Sequence, residues 1–170
     1  MDKSPQQVLS HLLMHTQSLQ LATLNADGEP SISYAPFVQD ETGGFVIFIS
    51  GLATHTHDLL RHPTAAVLLI ADEQATRQIF ARTRVSYSCH ASVIARDATE
   101  FPALLDALQA RFGEVVGVLR GLGDFVLFRL QPQAGRFVMG FGQAFVLGGE
   151  DLRELQPIGA GSLCFFPIVL

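Results

Sequence analysis

The hydrophobic pattern of the chain begins with helical spacing and then changes to the alternation that is typical of strands. Near the start, apolar residues recur three and four positions apart and a proline suits the first turn, which predicts a helix over about residues 4–18. The apolar positions of this helix are Val8, Leu9, Leu12 and Leu13.

Several later segments alternate between apolar and polar residues, or are apolar throughout, which predicts strands. Turn signals separate them at Asn25–Gly28, Asp40–Gly44 and Gln131–Gly135. Because short turns join the first three strands, we expect a meander of antiparallel neighbours. Pro36 marks the second strand as an edge or a bulge, since proline cannot donate to a ladder. The predicted strands cover about residues 19–24, 31–38, 45–49, 65–70, 82–94, 124–130 and 136–142.

Two further helical segments interrupt the strands. Gly51 leads into a short helix that Thr54 or Thr56 can cap and that ends at His62-Pro63. A second helix is predicted over about residues 99–112, and helical spacing resumes after the glycine that ends it. Together the elements predict one domain of the α+β class, mainly β, with a closed or nearly closed antiparallel sheet.

The composition limits the possible functions. Of 170 residues, 48% are apolar and 16% are charged, so disorder is excluded as the main state. The net charge is −5, so nothing indicates a nucleic-acid binder that relies on a strong positive field. Lys3 is the only lysine, which excludes an internal Schiff-base or P-loop lysine.

The cysteines and the chain ends bear on the location of the protein. Cys89 and Cys164 are too few for a disulfide scaffold, so we expect a reduced, cytoplasmic protein. No apolar signal segment is visible at the start. The apolar segment Leu163–Leu170 is too short to span a bilayer, and docking in a groove or in a dimer interface stays open for it.

A group of polar residues lies where a glycine turn enters the short helix. Ser50 precedes Gly51, and Thr54, His55 and Thr56 follow. Unpaired N–H groups and the positive end of the helix dipole favour anions at such a turn. The hydroxyl groups add donors, and His55 adds a charge that depends on pH. An ordinary capped helix with solvent-facing histidines is the alternative.

Arg82 and Arg84 form a second cationic group at the start of a predicted strand. Residues two apart share one face of a strand, so both guanidinium groups would point the same way. Two such guanidinium groups repel each other unless an anion or a carboxylate pairs with them. A phosphate or a carboxylate-bearing cofactor fits. The alternative is an exposed edge where Asp72 or Glu73 pairs with the arginines.

The histidines give weaker signals. His55 and His57 have no third and fourth metal ligand nearby, and residues two apart on a helix face away from each other, so we expect no metal there. His11 and His15 are four apart and can share a helix face, although two exposed histidines on a terminal helix are the simpler interpretation.

No catalytic acid, base or nucleophile can be assigned. Cys89 and His90 point to opposite faces of a strand and cannot pair there, so Cys89 is interpreted as a small core residue. Hydrolase and zinc-protease motifs do not occur. The glycine-rich run Gly135–Gly142 is not a phosphate loop, and tight packing inside a barrel is the favoured interpretation.

Seven short motifs occur in the order and spacing of a known family. They are Leu21–Pro30, Ser33–Phe37, Ile49–Thr56, Ile79–Arg84, Arg111–Gly113, Asp124–Leu130 and Gly135–Ala144. Over about residues 8–147 the chain resembles the haem-utilisation (HugZ-like) branch of the pyridoxamine 5′-phosphate oxidase-like, FMN-binding split-barrel family.

The resemblance implies a six-stranded antiparallel split β-barrel with flanking helices. It implies a homodimer with FMN in the cleft between the subunits. The single domain would span residues 1–170, with a helix over about 4–18, the barrel over about 19–147 and a tail over 148–170. The cofactor-binding residues so implied are Ser33, Tyr34, Ala35, Pro36, Ser50, His55, Thr56, Arg82 and Arg84.

The expected function is that of an FMN-binding flavoprotein, an oxidoreductase acting on an unknown small substrate. Two alternatives stay open: a haem-binding or haem-degrading protein that uses the same dimer cleft, and a non-catalytic binding or stress-associated module. Ser33 stands where the oxidase has an arginine, and His55 where it has a lysine. Some haem-utilisation relatives take an iron-binding histidine from near the C-terminus, and no histidine follows His90 in this sequence.

Overall fold

The structure of the protein is a computed structural model that describes residues 3–149 and 152–158. The helices in these residues are α1 (Pro5–His15), α2 (Thr54–Arg61), α3 (Phe101–Phe112) and α4 (Glu114–Arg120), and a 3₁₀ turn spans Ile79–Ala81. The strands are β1 (Ser18–Leu24), β2 (Pro30–Pro36), β3 (Val38–Gln39), β4 (Phe45–Ser50), β5 (Thr64–Ile70), β6 (Arg84–Ile94), β7 (Phe125–Gly140), β8 (Gln143–Gly148) and β9 (Glu154–Pro157).

The nine strands within the described ranges form one antiparallel sheet. Their order is β2-β1-β5-β6-β7-β4-β3, and β8 pairs with β7 and with β9. The predicted α+β, mainly β, antiparallel fold is confirmed. The predicted strands overlap β1, β2, β4, β5, β6 and β7, and the segment predicted over 31–38 also reaches Val38 of β3. The two strands predicted over 124–130 and 136–142 are one strand, β7, which ends at Gly140, and β8 and β9 were not predicted. The strand β9 lies inside the segment that was expected to be a tail.

The predicted meander of the first three strands is wrong. β1 pairs with β2 and β5, but β4 pairs with β3 and β7. β2 ends at Pro36, which has no N–H to continue a ladder, and the next side chain, Phe37, is fully buried. The chain bends there, so that β2 and β3 lie at opposite ends of the strand order. The prediction that Pro36 marks an edge strand is confirmed.

The predicted turn at Gln131–Gly135 is also wrong, because β7 continues through it. Ser88 of β6 lies opposite Ala134, and Cys89 lies opposite Pro132, so one residue of β7 has no partner on β6. Turn-forming residues therefore produce a β-bulge in a long strand and not a reversal of the chain.

The helix boundaries follow local hydrogen bonds. A capping box begins α1: the Ser4 hydroxyl oxygen accepts from the Gln7 N–H at 3.3 Å, and the Gln7 side chain accepts from the Ser4 N–H at 2.9 Å. α2 ends at Arg61, before the proline, as predicted. The predicted threonine cap of α2 is wrong, because Ala53 occupies the cap position without a side-chain hydrogen bond.

The larger core lies on the inner face of the sheet. The Phe45 ring lies 5.4 Å from the Phe37 ring and 5.2 Å from the Tyr87 ring, measured between centroids. A Cβ atom at Gly135 would lie 2.6 Å from Leu147 Cδ1, so only glycine fits without rearrangement. Tight packing is thus confirmed for this glycine of the predicted run.

The smaller core lies where α3 and α4 cover β4 and β7. Leu105 and Val116 of the helices pack with Val46 and Leu127 of the strands. Among the described residues, none of the helices is both long and apolar enough to cross a membrane. Cys164 and the apolar segment 163–170, for which docking in a groove or interface was left open, lie outside the described residues.

Candidate functional site

The turn before α2 uses its own polar groups. The Ser50 hydroxyl donates to Asp124 Oδ2 at 2.9 Å and accepts from the Leu52 N–H at 3.1 Å. The Thr56 hydroxyl donates to the Ser50 carbonyl oxygen at 2.6 Å. A Cβ atom at Gly51 would lie 2.6 Å from the Asp124 carbonyl oxygen, so the turn requires glycine. Both hydroxyl groups stabilise the turn, and the Asp124 carboxylate opposes an anion beside it.

The surroundings of His55 disfavour the pH-dependent charge that was expected there. Burial lowers the pKa of His55 below its usual value of 6.5, although the nearby Asp58 acts in the opposite direction. Asp58 itself is buried and accepts a hydrogen bond of 2.7 Å from the Thr23 hydroxyl. The Thr23–Asp58 hydrogen bond links α2 to β1. Because burial favours its neutral form, His55 attracts an anion by charge less than an exposed histidine does.

The arginine pair differs from the prediction. Arg82 precedes β6, so the expectation that both arginines share one face of a strand is wrong. Arg82 Nε donates to the Ala71 carbonyl oxygen at 2.6 Å, and Nη1 lies 3.2 Å from Glu73 Oε2. The carboxylate alternative therefore holds for Arg82. Arg84 begins β6 and donates from Nη1 to the Arg82 carbonyl oxygen at 3.0 Å.

The four predicted residues on β2 are divided between its two faces. Ser33 donates to the Leu21 carbonyl oxygen at 3.4 Å, and Ala35 is buried on the same inner side. Tyr34 and Pro36 are exposed on the other side. One ligand on one face of β2 therefore meets two of these side chains at most.

Two groups of predicted residues are attached at different parts of β7. Ser50 lies opposite Phe125, whereas Arg84 is two strands away and level with Val138, so thirteen residues and a bulge of β7 separate the two positions.

The sequence reasoning missed a groove of about 770 Å³ on the outer face of the sheet. Its volume is within the range of cofactor pockets, and its lining is mostly small or apolar with a few polar groups. The lining residues are Ala66, Ser86, Tyr87, Ser88, Ala134, Gly135, Arg136, Val146, Gln156, Pro157 and Ile158. The small polar residues at alternate positions of β6 are the signal that could have revealed it.

Two charged or titratable residues extend the groove along β6. Arg84, Ser86, Ser88 and His90 occupy every second position and are at least partly exposed, while the residues between them are buried. Arg136 lines the groove directly opposite Ser86 on the neighbouring strand. The groove therefore has guanidinium groups toward one end and an imidazole beyond the other.

The inward side of β6 is inert. Cys89 is a buried free thiol, and burial raises its pKa to about 12, which confirms its prediction as a core residue. Cys89 and His90 lie on opposite faces, as expected. In residues 3–149 and 152–158, no group of three or more His, Cys, Asp or Glu side chains is arranged to hold a metal ion.

Residues 6–139 match the family model described as pyridoxamine 5′-phosphate oxidase, which is more than half of the chain. The chain belongs to this family, and the antiparallel barrel with its flanking helices is the fold that places the groove.

The relatives indicate which branch of the family this chain resembles. Haem oxygenase HutZ of Vibrio cholerae is 45% identical over 145 residues, which cover 85% of this chain and 82% of that protein. The non-canonical chloroplastic haem oxygenase HOZ of Arabidopsis thaliana is 30% identical over 128 residues, which cover 75% of this chain and 37% of the HOZ chain. The predicted resemblance to the haem-utilisation branch is confirmed.

Solved structures agree with the sequence comparison. The crystal structure of Vibrio cholerae HutZ, described as a haem storage protein, has a TM-score of 0.71 and 38% identity, covering 74% of this chain and 88% of its own. Campylobacter jejuni ChuZ has a TM-score of 0.82 and 31% identity, covering 94% of this chain and 65% of its own.

These findings correct the expected function. The expectation of an FMN-dependent oxidoreductase is wrong, because relatives at 45% and 30% identity are named for haem chemistry. The haem alternative fits them better.

Proposed function

We propose that this protein binds haem in the outer-face groove. The observation that carries the proposal is the 45% identity, over 85% of the chain, to a protein named haem oxygenase. The groove supports it independently, because its volume and apolar walls suit a flat macrocycle.

The polar groups around the groove suit the carboxylate edge and the central iron of such a ligand. Haem carries carboxylates on one edge, and Arg84 and Arg136 offer guanidinium groups for charge-assisted hydrogen bonds. Haem iron takes nitrogen, sulfur or oxygen ligands from side chains, and His90 is the histidine on the groove's face of β6. We therefore assign the propionate contacts to these arginines and the iron contact to His90.

The remaining groove residues orient the ligand and keep its surroundings neutral. Bound haem supplies redox and oxygen chemistry that no side chain can provide. Ser86 and Ser88 offer hydroxyl groups as donors or acceptors at the floor. Burial raises the pKa of Tyr87 above its usual value, so its inward-facing phenol adds no charge beneath the groove. Degradation of haem is the second candidate function, because two relatives are named haem oxygenases.

We infer in addition that a second copy of the chain completes the site. Ile32 and Tyr34 on β2 are 79% and 68% exposed, although both are large and apolar in their contact surface. In register they lie beside Ala22 and Gln20, on the outer side of the same sheet. A partner that covers this side would explain their exposure and close the groove. Light scattering tests the inference: we expect a dimer, and Tyr34→Arg should give a monomer that binds haem more weakly.

Haemin titration followed by the Soret band tests the site. We expect stoichiometric binding by the full chain, a shifted band in His90→Ala because the iron ligand changes, and about tenfold or weaker binding in Arg84→Ala. His57→Ala and Arg61→Ala, which alter exposed residues on α2, are the matched controls. An unchanged band in His90→Ala would contradict the ligand assignment, and absence of any Soret shift would contradict haem binding.

Reductant and oxygen then separate binding from degradation. If the protein degrades haem, the Soret band decays and iron is released, and the decay is absent in His90→Ala. A stable band in the full chain identifies a haem-binding protein without this activity.

A further inference from the structure

The exposed face of α1 carries three side chains with nitrogen or sulfur donor atoms. His11, Met14 and His15 are at positions i, i+3 and i+4, which places them within about 100° of arc on the helix. All three are exposed, while the leucines of α1 are buried against the sheet. Met14 is 66% exposed, so core packing does not account for this apolar side chain.

The two imidazole rings are in contact, with their faces tilted toward each other. Their centroids are 4.0 Å apart, with an interplanar angle of 31°. His15 Nδ1 lies 2.9 Å from the His11 carbonyl oxygen. Because a carbonyl oxygen only accepts, Nδ1 is the donor of this bond, which leaves Nε2 as the ring nitrogen that a metal can use. Metal-binding histidines have this arrangement, with the other ring nitrogen donating to a carbonyl.

The backbone that carries these donors is held at both ends. The capping box at Ser4 fixes the start of α1. Arg111 Nη2 donates to the carbonyl oxygens of Met14 at 3.2 Å and Thr16 at 2.7 Å, which ties the end of α1 to α3.

We propose that His11, Met14 and His15 form a surface site for a monovalent copper ion. Two imidazole nitrogens and one thioether sulfur are the soft donor set that Cu(I) prefers. In the part of the chain that the structure describes, no set of three His, Cys, Asp or Glu side chains forms a metal-binding group, so no carboxylate-rich site competes. The positive charges of Lys3 and Arg111 near α1 oppose a divalent ion more than a monovalent one.

Competition with bicinchoninate for Cu(I) tests the site under anaerobic conditions. The full chain is used without haem in a Cys164→Ser background, because a thiol outside the described residues is also a soft ligand. His11→Ala, His15→Ala and Met14→Leu remove one donor each. His57→Ala, an exposed histidine on α2, is the matched control, and circular dichroism verifies that each variant is folded.

We expect one Cu(I) per chain, and at least about tenfold weaker binding when His11 or His15 is replaced. Met14→Leu should also weaken Cu(I) binding about tenfold while leaving Zn²⁺ binding unchanged, because zinc does not favour thioethers. Unchanged Cu(I) affinity in Met14→Leu, or an equal loss in His57→Ala, overturns the proposal.

Discussion

The two faces of β6 differ completely although their residues alternate along one strand. Val85, Tyr87 and Cys89 point inward and are buried, whereas Ser86 and Ser88 between them face the groove. The inward residues are large or apolar and the outward residues are small and polar. Because the period of a strand is two, one short sequence specifies both a core and a ligand surface.

The comparison extends to charge. Burial raises the pKa of Cys89 to about 12 and also raises the pKa of Tyr87, so both inward groups are neutral at physiological pH. The outward side carries Arg84 and, across the ladder, Arg136. The charged side chains of this region therefore lie on the groove face of the sheet. The described residues on the core face of β6 include no ionised group, so no charge has to be buried there.

The largest effect should come from breaking the inward packing. Phe45→Ala removes the ring between Phe37 and Tyr87 and should lower the free energy of unfolding by about 3–5 kcal/mol. Urea denaturation measures it. Phe80→Ala is the control, because that ring is exposed and its loss should change stability by less than about 0.5 kcal/mol. Equal losses in both variants would contradict the assignment of Phe45 to the core.

A smaller loss of stability should follow from adding one methyl group at Gly135 of β7, which packs against the inward side of β6. Gly135→Ala places a Cβ 2.6 Å from Leu147 Cδ1 and 3.0 Å from the Tyr87 ring, so we expect a loss of about 1–3 kcal/mol. Gly123→Ala is the matched control, since a Cβ there meets nothing within 4 Å. Thermal unfolding compares the two, and a tolerated Gly135→Ala would show that the inward face is not tightly packed.

The buried Cys89 thiol should make the free energy of unfolding fall as pH rises in the alkaline range. The Cys89 thiol ionises near pH 9.0 in the unfolded chain and at about 12 in the fold. Between these values only the unfolded state loses the proton, so stability falls as pH rises, by at most about 1.4 kcal/mol per pH unit. Cys89→Ala should flatten the curve of unfolding free energy between pH 9 and 10.5. Parallel curves for both proteins would refute the predicted contribution of this thiol.

The smallest effect on stability should come from the outward face. Ser88→Leu places a larger side chain in the groove and should change the unfolding free energy by less than about 0.5 kcal/mol, because the residue is exposed. Haemin binding should weaken at the same time, because the groove is narrower. Unchanged haemin affinity would place the ligand elsewhere and would separate the groove from the function.

The local elements of the fold could be predicted from sequence, but their pairing could not. The alternation in β6 and the apolar stripe of α3 reflect periods that each segment carries by itself. The partner of β4 depends on which strand edge stays free after distant segments have paired, and no local pattern contains this. Pro132 and Gly135 resembled a turn because their types favour one, and the bulge in β7 accommodates them.

The candidate site was harder to predict, because residue type does not tell where a hydrogen bond goes. Ser50 and Thr56 were chosen for their hydroxyl groups, and both bond within the turn that contains them. The groove was missed because it combines β6 with β8 and β9, and neither of those short strands has a clear alternation. Residue chemistry suggested anion binding, but only the register shows where Arg84 and Arg136 come together.

The pairing of β4 with β7 has a consequence for synthesis of the protein on the ribosome. β4 is an uncharged, strongly β-forming segment, and besides the two-residue β3 it pairs with residues 125–130. Its partner is made about 75 residues later, which at 5–20 residues per second leaves β4 unpaired for about 4–15 s. During that time its edge is open to other chains, so we expect the yield of folded protein to depend on translation speed and on chaperones that shield such segments.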